Sequence, residues 1–154
     1  MKTIYIDADA CPVKKEVYRV AARYGWPTFV VANQYINAPA SQIIFCIKVG
    51  DGMDEADDWI AERSEPGDIV ITADIPLAAR ALENGSRALG TKGREFTADT
   101  IGDALASRAM SQELREDGVE TGGPRPMEKK DRSQFLQKLD QLINAVQREQ
   151  QDGA

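Results

Sequence analysis

Histidine is absent from the 154 residues of this chain. That absence removes the Ser-His-Asp triad, the Cys-His pair, histidine-based acid–base cleavage of RNA and His-ligated zinc. Cysteine occurs only at Cys11 and Cys46, too few for a four-thiolate zinc site or a disulfide scaffold. No uninterrupted apolar run approaches the roughly 20 residues that a membrane-spanning helix needs. The opening stretch carries Lys2, Asp7 and Asp9, so it does not read as a signal peptide, and a cytoplasmic protein is expected. Chemistry is left to carboxylates, Lys, Tyr, Ser/Thr, a lone thiol, or a metal held by oxygen.

What is present is ordinary for a globular domain, with 42% hydrophobic and 29% charged residues. The length suffices for one core-bearing domain and not for two substantial ones. The net charge of −6 argues mildly against non-specific binding to a polyanion, but its distribution is uneven. Between Asp51 and Asp74 there are nine acids and one base, Arg63, whereas the first fifty residues carry six bases and three acids. Arg125 to Arg148 likewise holds six bases and three acids, so an acidic middle is flanked by mildly basic ends.

The apolar pattern predicts strands over Thr3–Ile6, Thr28–Ala32, Ile43–Val49, Ile69–Thr72 and Arg87–Leu89. Between them, Val13, Val17, Val20, Ala21 and Tyr24 mark a helix with Pro12 in its first turn and Gly25 past its end. Met53–Arg63, the stretch opened by Pro76, and Thr100–Arg115 read as further helices. Strands alternating with helices of this length predict a three-layer α/β/α domain with a mostly parallel sheet of four to five strands. The expected layout is a domain over 1–118, a Gly/Pro loop over 119–130, a helix over 131–148 packed on the same domain, and a frayed tail over 149–154. Phe135, Leu136, Leu139, Leu142, Ile143 and Val146 form the stripe of that last helix.

In an open α/β sheet, ligands bind outside the carboxyl ends of the strands. Acids occupy three such places: Asp7 and Asp9 after the first strand, Asp51, Asp54, Asp57 and Asp58 after the third, and Asp74 after the fourth. Helical spacing puts Asp54 on one flank with Asp57 and Asp58. Converging carboxylates repel unless a cation sits among them, and with no His or Cys cluster the fitting ion is Mg²⁺ or Mn²⁺. Such ions polarise a phosphoryl oxygen and lower the pKa of an attacking water, which points to phosphate-ester chemistry. Lys14, Arg125 and Arg132 are the candidate phosphate contacts.

Plainer roles compete. Taken singly, Asp9 and Asp74 read as helix caps, and Asp131, with Gln134 three residues on, reads as part of a capping box. Glu55 and Glu62 suit a solvated helix face, and Lys15, Lys129 and Lys130 ordinary surface charge. Thr72 suits either a strand or the orientation of a metal-bound water. Cys11 beside two acids should have a raised thiol pKa, and Cys46 is expected in the core. The coincidence of three acidic strand ends lifts the functional reading.

The motifs Asp7-Ala8-Asp9-Ala10-Cys11-Pro12, Val31-Ala32-Asn33-Gln34, Gly52-Met53-Asp54-Glu55-Ala56-Asp57-Asp58, Asp68 through Ala78, and Gly122-Gly123-Pro124-Arg125-Pro126 resemble, in this order, the YaiI/YqxD family of bacterial proteins. That family looks like a branch of the PIN-like nuclease superfamily. The resemblance implies a metal-binding acid at the end of strand one, matched by Asp7, one on a central helix, matched by Asp54 or Asp57, and one after a Thr-x-Asp strand, matched by Asp74. A further acid often follows the next strand. Here Gly90-Thr91-Lys92-Gly93 occupies that region and Asp99 reads as a helix cap, leaving Asp9 to compensate.

The function so implied is a Mg²⁺- or Mn²⁺-dependent nuclease with RNA as its possible partner. In it Asp7, Asp54, Asp57 and Asp74 hold the ion and Asp9 is an auxiliary ligand or base. A non-catalytic nucleic-acid-binding or adaptor protein on the same fold ranks second. A haloacid-dehalogenase-like phosphatase ranks third. Asp7-x-Asp9 resembles its nucleophile motif, but the acidic pair Asp57-Asp58 precedes Thr72, the wrong order.

Overall fold

Ile4, Ile6, Val30, Ala32, Ile69, Ile71 and Leu89 pack on one face of the sheet, and the residues between them, Tyr5, Val31, Val70 and Ala88, on the other. This two-residue period, with both sets apolar, leaves no face of the central strands for water. The computed structural model describes residues 2–52, 54–102 and 127–152. Its elements are β1 (Ile4–Asp7), α1 (Lys14–Tyr24), β2 (Thr28–Ala32), β3 (Ile44–Lys48), α2 (Glu55–Arg63), β4 (Ile69–Ile71), α3 (Ile75–Glu83), β5 (Arg87–Leu89), β6 (Glu95–Phe96) and α4 (Lys129–Asp152). The strands form one sheet in the order β3-β2-β1-β4-β5-β6, parallel except for β6. Val17, Val20 and Ala21 of α1 and Phe135, Leu139 and Ile143 of α4 cover the first face. Ile60, Leu77, Ala78 and Ala81 of α2 and α3 cover the second. The result is a mixed α/β domain of three layers.

Local signals explain most of the boundaries. Gly25 takes φ 72° past the end of α1 and donates its N–H to the Ala21 carbonyl, a left-handed stop that glycine adopts without cost. Pro12, expected in the first turn, instead lies ahead of the helix. A 3₁₀ turn over Ala8–Ala10 intervenes and the N-cap is Val13. The sixth strand was not foreseen, because two residues are too few to show a period. Cys46, expected in the core, is exposed, since β3 is the edge of the sheet and one side of it has no covering strand. A helix begins at residues 98–102. Its cap is reciprocal between Thr97 and Thr100, each side-chain oxygen accepting the other's backbone N–H, rather than supplied by Asp99. The rest of the helix expected to Arg115, the boundary near 118, and most of the Gly/Pro loop lie outside the described residues.

α4 docks on the same domain. Beyond its buried stripe, the Tyr24 hydroxyl donates to Asp140 at 2.6 Å and Arg23 pairs with the same carboxylate at 3.1 Å. The helix runs to Asp152, past the expected fraying point at 149, and Arg87 ion-pairs with Glu149 there. Asp131 has a structural role but at a shifted position. Its carboxylate is 3% exposed and accepts the Glu128 N–H at 3.0 Å, closing the first turn from within. Asp131→Ala is therefore expected to cost about 1 kcal/mol in urea unfolding, while Asp99→Ala, which removes no cap, should change little.

Candidate active site

From β1 the chain steps outward through β2 to β3, then crosses back to β4 and steps the other way to β5. The reversal falls between β1 and β4, and the carboxyl ends of that pair form the crevice where open α/β sheets bind ligands. Asp7 is the last residue of β1, and Thr72 follows β4. The buried Thr72 hydroxyl donates to Asp7 Oδ2 at 2.8 Å and accepts the Asp74 N–H at 2.9 Å. One threonine thus fixes the ends of both central strands, a role the sequence left undecided between strand former and site residue. Asp74 caps α3, its carboxylate accepting the Leu77 N–H at 2.9 Å.

Asp9 does not cap α1. It lies in the 3₁₀ turn, and its two carboxylate oxygens accept the Asn33 N–H at 3.0 and 3.2 Å, tying that turn to the end of β2. Nothing in the sequence marks Asn33 for this role beyond its place in the Val31-Ala32-Asn33-Gln34 motif. The helix flank expected to hold Asp54, Asp57 and Asp58 divides. Asp58 pairs with Arg80 of α3 at 2.7 Å, whereas Asp57 lies within electrostatic reach of Asp74 and Asp7. Arg80 lies 22 residues beyond Asp58, a pairing that no local spacing announces. Asp54 occupies the N-cap position of α2 with its side chain exposed and no cap bond.

The electrostatics report this convergence. Burial pushes the Asp57 carboxyl up to about 7; Asp74, Asp7 and Asp54 push the same way, and Arg80 opposes them weakly. Asp7 is also raised, by burial first and then by Asp74 and Asp9, with the Thr72 hydrogen bond working against the shift. Asp57 thus feels the charges of Asp74, Asp7 and Asp54, and Asp7 those of Asp74 and Asp9. Among the described residues, however, no three acidic or thiol side chains are grouped closely enough to hold an ion as they stand. The donor set is all oxygen and short of counter-charge, which suits a hard divalent cation. Its arrangement is open rather than a closed cage.

Around this field Lys14 donates to the Cys11 carbonyl at 2.8 Å, and Arg132 donates to the Pro12 carbonyl at 2.9 Å and pairs with Glu16 at 3.1 Å. Both cations thus anchor the segment that follows Asp9. Arg125 lies outside the described residues. Cys11 is buried and its thiol is pushed up chiefly by burial, with the Asp7 charge a smaller contributor, which disfavours the thiolate. No helix among the described residues is long and apolar enough to cross a membrane.

The family model described as "Uncharacterized BCR, YaiI/YqxD family" matches residues 5–145. A UPF0178 protein of Caulobacter sp. (strain K31) is 58% identical over 148 residues, 96% of this chain and 98% of the relative. The UPF0178 protein of Rhodopseudomonas palustris (strain BisB18) is 52% identical over 145 residues, covering 94% of each chain. That of Bradyrhizobium diazoefficiens (strain USDA 110) is 50% identical over 151 residues, 98% of this chain and 90% of the relative. No solved structure matches. With residues 5–145 matched and relatives at 50–58% identity over nearly the whole chain, the chain belongs to the YaiI/YqxD family.

Proposed function

We propose that the protein is a PIN-like, Mg²⁺- or Mn²⁺-dependent nuclease that hydrolyses RNA phosphodiester bonds. The observation that supports this best is the Thr72 bridge, which holds Asp7 and the start of α3 at Asp74 together at the reversal of strand order. Asp7, Asp54, Asp57 and Asp74 would hold the cation, which when bound polarises a phosphoryl oxygen and acidifies a water. The chain's own residues do the rest. Thr72 orients Asp7, and Asp9 keeps the end of β2 against the site. Lys14 and Arg132, beside the segment that follows Asp9, would meet the phosphates, with Arg125 as a further phosphate contact. Without a cation the same field repels a phosphodiester, so substrate binding and metal binding are linked.

Calorimetric titration of Mg²⁺ and Mn²⁺ into the wild type, Asp7→Asn and Asp74→Asn tests this reading. The wild type is expected to bind, and each variant to bind at least tenfold more weakly, about 1.4 kcal/mol. Equal heats for all three, or an RNA-cleaving wild type indifferent to chelator, would remove the metal reading. The open arrangement of the carboxylates favours one competitor, a non-catalytic RNA-binding or adaptor protein. RNA retained without turnover and unaffected by chelator would decide for it.

A further inference from the structure

One edge of the sheet is β3, which among the described residues has a partner strand, β2, on one side only. Its register with β2 pairs Thr28 with Ile44 and Ala32 with Lys48, and the flanking bonds run from the Thr28 N–H to the Ile43 carbonyl and from the Val49 N–H to the Ala32 carbonyl. In a parallel ladder this phase turns the backbone groups of residues 43, 45, 47 and 49 toward β2 and those of Ile44, Cys46 and Lys48 outward. No described residue pairs with that outward row.

Native edges are usually blunted by charge, proline or a bulge. Here the seven residues Ile43–Val49 contain one charge, Lys48, and no proline. The aromatic ladder that crosses the sheet, Tyr5 against Phe29 and Phe29 against Phe45, also ends at this edge with Phe45 42% exposed.

We propose that β3 is a contact between two copies of this chain, pairing antiparallel with itself about a twofold axis at Cys46 and joining two sheets into one. The pattern of the strand selects this occupant. Outward-facing residues must oppose each other as hydrogen-bonded pairs in an antiparallel ladder. An axis at Cys46 sets Cys46 against its copy and Ile44 against Lys48, giving three such pairs. It also sets Phe45 against Ile47 and Ile43 against Val49, so that apolar residues meet apolar residues at every other position. Such a contact is isologous and closes at two. The strand supplies far fewer than the roughly 20–30 residues a side of a standard interface, so the dimer is weak, with dissociation in the micromolar range.

Sedimentation of the full chain from about 5 to 500 µM is expected to show a rise from one-chain to two-chain mass. Across a hydrogen-bonded pair the Cα atoms stand about 5.5 Å apart, inside the range a disulfide spans. Diamide, which takes up the two hydrogens of the paired thiols, should therefore give a covalent dimer in the wild type and in Cys11→Ser, and none in Cys46→Ser. Cys46→Lys sets two ammonium groups face to face across the axis and should keep the chain monomeric, while Cys46→Ser should still dimerise. A one-chain mass at every concentration without cross-linking overturns the proposal, as does a dimer that Cys46→Lys leaves intact.

Discussion

Phe135→Ala is expected to lower the free energy of unfolding by about 3–5 kcal/mol. Phe135 is fully buried among Val17, Val20 and the first face of the sheet, so truncation opens a cavity lined by two helices and the strands beneath them. The surroundings have little room to collapse into it. The backbone of Gln134 and Phe135 presses on Gly93, where an added Cβ would come within 2.9 Å of the Phe135 nitrogen. Gly93 also takes φ 89°, so the turn before β6 is shaped for the close passage of α4. Urea unfolding reads the effect as a lower midpoint at unchanged slope. If α4 were merely appended to the domain, the same change would cost well under 1 kcal/mol and α4 could be lost without unfolding the sheet.

The apolar stripe of α4 was visible in the sequence, because Phe135, Leu139, Leu142, Ile143 and Val146 repeat at helical spacing; whether that stripe meets its own sheet or a partner was not, since the pattern is the same for both. β2 and β4 were equally legible, since each is a short β-branched, apolar run between turn residues. The place of a strand within the sheet was not. β3 is as apolar as β1, and only the crossover from β3 to β4 makes it an edge and leaves Cys46 exposed. Cap positions slipped for a related reason. Thr97 and Thr100, or Glu128 and Asp131, are decided by which backbone N–H each side chain reaches. The acids of the site were legible singly, as Asp residues at the ends of apolar runs. Their division, with Asp58 paired to Arg80 and Asp57 within electrostatic reach of Asp7, depends on how α2 is rolled against α3.

The second large effect concerns pH. Asp57 keeps its proton up to about pH 7 in the folded chain, against an ordinary value near 3.8. Below about pH 4 both states are protonated and the group contributes nothing. Between about pH 4 and 7 the unfolded chain has released a proton that the native state still holds, so stability falls as pH rises; above 7 the loss is complete. A fully shielded carboxyl shifted that far would cost roughly 4 kcal/mol, and because Asp57 is only half-buried, solvent screening reduces this to about 1–2 kcal/mol. Asp57→Asn is nearly isosteric with the protonated acid. It should match the wild type in urea unfolding at pH 4 and exceed it by about 1–2 kcal/mol at pH 8. Parallel curves for the two proteins from pH 4 to 8 would show that neither burial nor the neighbouring acids raise Asp57. Mg²⁺ sharpens the comparison, because a cation among the acids should restore stability at pH 8 to the wild type more than to Asp57→Asn. The stability gained by neutralising this one residue then measures its burial together with the repulsion from Asp74, Asp7 and Asp54, and a bound cation would relieve the second of these.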